Sequence, residues 1–582
     1  MSLIIKLAYL FSPFIRLTNL IKRIVSPYIR HFCTLEPSDT IFKLGSWNNE
    51  AIVQTKYGLV SGFSDKESWC WKGIPYANPP IGSLRWKAPL DLIPWIGTCK
   101  KKKFGNSAAQ VMPFIGSIGS EDCLYLNIWR PKTPETKLPV YFYIHGGGNS
   151  IGSSAEVAYY GNAVVEKSNL LYISVNYRLG AMGWFIHPAT TATGSPEDKS
   201  GNFGTLDLIK ALEWVQDNVE AFGGDPNNVT IAGESGGAFN VFSLLISPLA
   251  KGFFHQAIAE SGLSLISSTD MAESQSRVLL IDLLIKDHKA KNQEEAERIL
   301  DKMSEKEVNE YLRSKSAFKI MKCIPKMDFG MANWRAIFTD GTVIPKEGYD
   351  ILSSGDWANM VPLLFGCTKD ELKLFGNFRK DPPKNTRKYD LIWGYRSLLW
   401  RVSGLDSLAY KMNLKNDIPL YAYRFDWGSP DKDGMSVLPK GMGRNLGAHH
   451  ASEIPFFLGM GNSSIFMLIG KTHTKRNRLG REKLTDLCMN YLAHFARSGN
   501  PNGEGLPYWY PWDNTKGKDK ILVLDAGIDD LRISYLNNIL TVKSVIDLIN
   551  FELKEPELGT ILSYFDEIIP FGIKEPKLKK NF

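Results

Sequence analysis

The sequence predicts an α/β protein: a large, mainly parallel central sheet with helices on both faces and helical insertions. Three observations predict it. Short β-rich runs recur at 139–144, 169–177 and 229–232, in a chain whose short apolar runs are separated by Gly, Pro and Asn. Between the last two, residues 207–222 place Leu208, Ala211, Leu212, Val215 and Val219 at helical spacing. The composition is that of a large globular protein: 582 residues, 44% hydrophobic and 22% charged, with a mean hydropathy of −0.17. Those values exclude a disordered chain, a coiled coil and a polytopic membrane protein. The net charge of +8 is a mild bias on so long a chain, and it does not argue for nucleic-acid binding.

Residues 1–39 differ from the rest. Apolar runs are broken by Lys6, Arg16, Lys22 and Arg23, Pro13 lies among them, and no acidic residue precedes Glu36. The longest uncharged stretch, 7–15, is too short to span a bilayer, which takes about 20 apolar residues. Basic residues on both sides, with no small-residue cleavage site, do not fit a cleaved secretory signal. The pattern is that of an amphipathic segment lying on a membrane surface through residues 1–31, aliphatic side chains in the acyl boundary and Lys/Arg on anionic headgroups. A helix packed on the protein's own surface, or an uncleaved signal, fits the same residues.

From residue 40 to 560 no repeat or linker interrupts the pattern, and one catalytic domain is expected. Within it, 270–322 is polar, helix-prone and rich in Glu, Lys and Leu, which predicts a helical insertion over the sheet. Residues 327–334 join it as candidates for shaping an entrance or filling core. Residues 561–582 form a tail, basic at its end and expected to fray.

Two motifs carry chemistry. Ile231-Ala232-Gly233-Glu234-Ser235-Gly236-Gly237 follows a β-branched run and precedes an apolar helix pattern. A strand–sharp turn–helix of this kind exposes a serine hydroxyl at a strand end, with the glycines allowing close backbone approach. Alone, it fits a Gly-rich turn with a surface serine as well. Upstream, Ile144-His145-Gly146-Gly147-Gly148 ends another predicted strand. Glycines there let backbone N–H groups converge on a developing oxyanion, a task the residue after the serine shares. Together the motifs are far more specific than either alone.

With these residues in view, the chain resembles the type-B carboxylesterase/cholinesterase family of α/β-hydrolases, from about residue 52 to 512. Glu121-Asp122-Cys123-Leu124-Tyr125-Leu126-Asn127, Asn176-Tyr177-Arg178-Leu179-Gly180 and Phe222-Gly223-Gly224-Asp225-Pro226 carry the likeness. The resemblance implies a serine carboxylesterase with Ser235 as nucleophile, Glu371 as acid and His450 as base. It implies an oxyanion hole from Gly147, Gly148 and Gly236, with Glu234 and Ser261 in support. No metal or cofactor is implied. Asp370 stands beside Glu371 as a rival, and His449 beside His450. The substrate class is a small-molecule or lipid ester. A lipase, thioesterase or amidase would use the same groups, and some homologues are adhesion proteins without the nucleophile.

The chain also departs from the family. Gly236 stands where alanine is usual; both offer the same N–H, so little loss is expected. The usual cysteine upstream of Cys123 is missing, since that stretch reads Ser107-Ala108-Ala109-Gln110, and no cysteine lies between Cys123 and Cys323. Lost bridges suit a reducing compartment, so the cytoplasm or the cytoplasmic face of a membrane is expected rather than secretion. No tryptophan lies between Ala108 and Asp122, which argues against the family's choline site.

Overall fold

The structure is a computed structural model. It describes residues 47–553 apart from 48, 66–67, 114, 328–330, 385, 416–417 and 461–471, with the backbone of 35–36 and residues 559 and 561. The N-terminal segment 1–31 and, apart from residue 561, the C-terminal tail lie outside the described residues.

Among the described residues, the main sheet has eleven strands in the order β17-β16-β15-β14-β13-β12-β10-β11-β9-β5-β4. In chain order they are β4 (Phe63–Ser64), β5 (Ser68–Pro75), β9 (Tyr125–Pro131), β10 (Leu138–Ile144), β11 (Leu171–Val175), β12 (Gly224–Glu234), β13 (Gln256–Glu260), β14 (Leu363–Thr368), β15 (Leu420–Phe425), β16 (Ile521–Leu524) and β17 (Ser534–Leu536). The run from β11 to β16 is parallel throughout. Antiparallel strands close both edges. A second sheet holds β1 (Leu35–Glu36), β2 (Ile52–Thr55), β3 (Gly58–Ser61) and β6 (Thr98–Lys100). β7 (Gln110–Met112) and β8 (Gly116–Ile118) form a hairpin.

The centre of the sheet is where the sequence is most continuously apolar. β10 and β11 are buried at every position, as parallel strands covered on both faces must be. The expected helix over 207–222 is Phe203–Asn218 followed by one 3₁₀ turn, Val219–Phe222. It is locked to the sheet by a buried pair: Arg178 Nη2 lies 2.7 Å from Asp207 Oδ1, and Arg178 Nε donates to Asp207 Oδ2 at 2.8 Å.

The insertion over 270–322 is four helices, Thr269–Lys286, Gln293–Leu300, Glu305–Arg313 and Ala317–Met321. Each starts at a side chain that accepts an otherwise orphaned N–H: Ser268, Asn292, Ser304 and Ser316. Ser304 and Glu307 form a capping box. Of the described part of 327–334, Trp334 is core: it is buried, parallel to Phe185 at 6.4 Å, and donates from Nε1 to the Trp184 carbonyl at 2.7 Å.

Candidate active site

Ser235 follows β12 directly and caps the helix Gly236–Ile246, every residue of which is buried. Its backbone sits at φ 54°, ψ −119°, a region L-residues avoid. The surroundings hold it there. Ser235 N–H donates to the Glu260 carbonyl on β13 at 2.9 Å, and its own carbonyl accepts from Phe239 N–H at 3.0 Å. A methyl group on Gly237 would lie 2.0 Å from the Ile144 carbonyl oxygen, so only glycine lets the turn pack against the end of β10.

The loop after β10 is pinned from several sides. The His145 ring stacks on Tyr177 at 4.6 Å, and the Tyr177 hydroxyl donates to the His145 carbonyl at 2.8 Å. Burial lowers the His145 pKa to about 4, so the ring is a neutral brace. Gly180 N–H donates to the Asn149 carbonyl at 2.7 Å, and Asn240 Nδ2 to Asn149 Oδ1 at 2.8 Å. Gly147 and Gly148 have φ of 108° and 58°. Among the described residues, the N–H groups of Gly147, Gly148 and Gly236 have no hydrogen bond to a loop or side-chain acceptor. The two stretches lie close together: a Cβ added at Gly236 would lie 2.7 Å from Gly148 N and 2.9 Å from Asn149 N. Glycine at 236 keeps the N–H on which the expectation of little loss rests; the reverse change is a different matter, because in this chain the Gly148–Asn149 backbone occupies the space of a methyl group.

His450 and Glu371, far apart in sequence, meet. His450 Nδ1 lies 2.6 Å from Glu371 Oε2, while Glu371 Oε1 accepts the Thr368 N–H at 2.7 Å. The carboxylate is fully buried, and its bond places the imidazole proton on Nδ1 and leaves the Nε2 lone pair free. Phe375 and Trp400 pack against the ring at 5.4 and 5.1 Å. His450 Nε2 has no hydrogen-bond partner, and lies 3.2 Å from Oε1 of Glu234, the residue before Ser235. The structure thus brings the histidine to the nucleophile turn without a formed Ser235–His450 hydrogen bond.

The rivals point elsewhere. Asp370 pairs with Lys373 at 2.8 Å and accepts from the Ser429 hydroxyl and the Ala448 N–H. His449 Nδ1 contacts the His450 carbonyl at 2.8 Å, and burial lowers its pKa to about 4. Ser261 donates from its hydroxyl to Glu453 Oε1 at 2.5 Å.

Four carboxyl groups, those of Glu234, Glu260, Glu371 and Glu453, are buried around this point. Burial, reinforced by neighbouring Glu371, holds Glu234 and Glu453 well above the usual carboxylate range. Burial and then Glu234 do the same for Glu260. Glu260 was legible only as part of the Ser261 motif. Neither of its oxygens has a protein partner, and the buried hydroxyls of Tyr141, Tyr143, Tyr172 and Tyr423, all within its electrostatic reach, lack one too. Such groups are ordinarily bridged by buried water.

This makes a stability prediction. A carboxyl whose pKa is raised by folding is neutral in the native state while the unfolded chain ionises, so stability falls as pH rises above about 4.3. Glu260→Gln removes that loss. Its melting temperature should match wild type near pH 4 and exceed it by a few degrees at neutral pH. An equal difference at both pH values would show that Glu260 is ionised in the fold.

The comparisons with known proteins agree with this architecture. The carboxylesterase family profile matches residues 49–395 and 395–537. The para-nitrobenzyl esterase of Bacillus subtilis (strain 168) is 31% identical over 514 residues, covering 82% of this chain and 95% of that protein. Carboxylesterase 1D of Rattus norvegicus is 32% identical over 518 residues, covering 81% and 88%. Among solved structures, a PNB esterase superposes with a TM-score of 0.65 at 27% identity, covering 84% of this chain and 97% of that one. A carboxylesterase of Geobacillus stearothermophilus gives 0.64 at 27%, covering 84% and 98%. The fold is that of the α/β-hydrolases. The chain belongs to the carboxylesterase family, and it is an ester hydrolase of the type-B class.

Proposed function

We propose that the chain hydrolyses carboxylic esters of small molecules through an acyl-enzyme on Ser235. The observation that carries the proposal is the 2.6 Å His450–Glu371 contact, which turns an unpartnered Nε2 toward a strained serine turn. His450 Nε2 takes the Ser235 hydroxyl proton as Oγ attacks the ester carbonyl carbon. In enzymes of this chemistry that hydrogen bond commonly tightens only with substrate in place. The tetrahedral oxyanion receives N–H groups of Gly147, Gly148 and Gly236. The C–O bond to the alcohol then breaks, and the imidazolium returns its proton to the departing oxygen. Water, deprotonated by His450, attacks the acyl carbon, releases the acid and restores Ser235.

Glu371 fixes the tautomer and stabilises the imidazolium. Glu234, whose Oε1 lies 3.2 Å from Nε2, is held well above the usual carboxylate range by burial and then by Glu371, which weakens its hold on the transferred proton. Ser261 and Glu453 support the histidine segment from behind.

A p-nitrophenyl phosphonate tests the site directly. One p-nitrophenolate should be released per chain, and peptide mapping should place the adduct on Ser235. An adduct on another residue would overturn the assignment.

We also propose that residues 1–31 attach the enzyme to the cytoplasmic face of a membrane. Supporting this are their basic, apolar composition and the buried thiols of Cys70, Cys123, Cys323, Cys367 and Cys488, none of them in a disulfide among the described residues, which suit a reducing compartment. Co-sedimentation of the full chain with vesicles containing phosphatidylserine tests it: Lys6→Glu, Arg16→Glu, Lys22→Glu and Arg23→Glu together should abolish binding, and unchanged binding would refute it.

A further inference from the structure

We infer that Gln110 is a positioning residue for the oxyanion donors, its side-chain amide clamping the loop after β10 at the point where the donor-bearing turn ends. The inference rests on the acyl-enzyme reading of Ser235. It adds a side chain that bonds to none of Ser235, His450 and Glu371.

Gln110 opens β7 and is fully buried. A primary amide supplies two donors and an acceptor in one plane, and here all three are used. Nε2 donates to the Gly152 carbonyl at 2.9 Å and to the Ala108 carbonyl at 3.0 Å. Oε1 accepts the Gly152 N–H at 2.8 Å. The amide thus exchanges both hydrogen bonds with one residue, as a paired strand would. Its own seat is firm. β7 pairs with β8, Gln110 opposite Ile118. The Ala109 N–H donates to the Ser120 carbonyl at 2.9 Å, and the Ser120 N–H to the Ser107 carbonyl at 2.9 Å.

Gly152 closes the turn that sets a donor's direction. A Cβ added there would lie 2.5 Å from both the Gly146 carbonyl oxygen and His145 Nδ1, so its backbone is seated against the start of the glycine run. Between them, the Gly147 carbonyl accepts the N–H groups of Ser150 and Ile151, each at 3.1 Å, and the Ser150 hydroxyl at 3.3 Å. A trans peptide points its C=O and the following N–H in opposite directions. With the Gly147 carbonyl held onto Ser150 and Ile151, the Gly148 N–H faces away from the turn. Gly236 lies beside that same nitrogen. The orientation of the 147–148 peptide therefore depends on the turn staying closed. Tyr177 braces the start of the loop through the His145 carbonyl, and Gln110 braces its end.

Hydrolysis of p-nitrophenyl butyrate by the full chain tests this, with active sites counted by a p-nitrophenyl phosphonate. A second probe is an aryl trifluoromethyl ketone, whose adduct with serine places an oxyanion on the same donors. Gln110→Met keeps the length of the side chain and loses all three bonds. Per titrated site, kcat should fall about 100-fold, the size of losing one oxyanion donor, with KM within about twofold of wild type. The ketone should bind more weakly by a similar factor of about 100. Should Gln110→Met not fold, Gln110→Ala replaces it, since the polar space it leaves admits water; the same three changes are expected. A folded variant with kcat per site within about twofold of wild type refutes the positioning role. So does one that loses kcat while binding the ketone as wild type, because its loss then lies outside the oxyanion donors. Wild type that takes no phosphonate on Ser235 would overturn the acyl-enzyme reading, and this one with it. A labelled wild type with an unaffected Gln110 variant overturns this one alone.

Discussion

Ser235→Ala is expected to lower kcat for p-nitrophenyl butyrate by about 10⁴-fold or more, with the fold intact. The size follows from the route. Without Oγ there is no covalent intermediate, and the remaining groups can only offer N–H donors to a carbonyl attacked directly by water. That residual help amounts to about 10³–10⁴ over the uncatalysed reaction. Alanine also relieves nothing that holds the turn, because the bonds of residue 235 to Glu260 and Phe239 are made by its backbone. The melting temperature should therefore stay near that of wild type. A variant that keeps a tenth of wild-type turnover would end the serine mechanism for this chain.

The second large effect separates two neighbouring acids. Glu371→Gln should lower kcat by about 10⁴-fold, since an amide nitrogen facing Nδ1 favours the tautomer whose proton sits on Nε2, and that nitrogen can no longer accept from Ser235. Asp370→Asn should retain most of kcat and lose stability instead. Its carboxylate is spent on Lys373, Ser429 and Ala448, none of which touches His450. The opposite ranking would move the catalytic acid by one residue.

That contrast shows what the linear chain could and could not convey. Residues 370 and 371 are both acidic and consecutive, so no pattern separates them; their roles diverge because successive side chains after β14 leave in different directions, one toward His450 and one toward Ser429. The same holds for His449 and His450. The central strands were readable because burial on both faces demands unbroken apolar runs, as in 139–144. The strand Ser68–Pro75, second from the sheet edge, was not, because of its two tryptophans only Trp71 is buried and half-exposed positions and a glycine interrupt the run, and its partner β9 begins more than fifty residues after it starts. The 270–322 insertion was legible as helical from composition, and its four boundaries are set by Ser and Asn caps that the same residues also offer to turns. Glu260 was hidden for another reason: a carboxyl at the end of an apolar strand ordinarily marks the return to solvent, whereas here it stays buried beside Ser235, whose N–H its carbonyl accepts.

The contact between Gly236 and the Gly148–Asn149 backbone binds two distant stretches into one heritable unit. A chimaera that borrows an alanine elbow from another esterase would jam against its own donor loop. Activity would return only if the segment around 145–151 were grafted from the same source. Directed evolution of this enzyme should therefore vary both stretches in a single library.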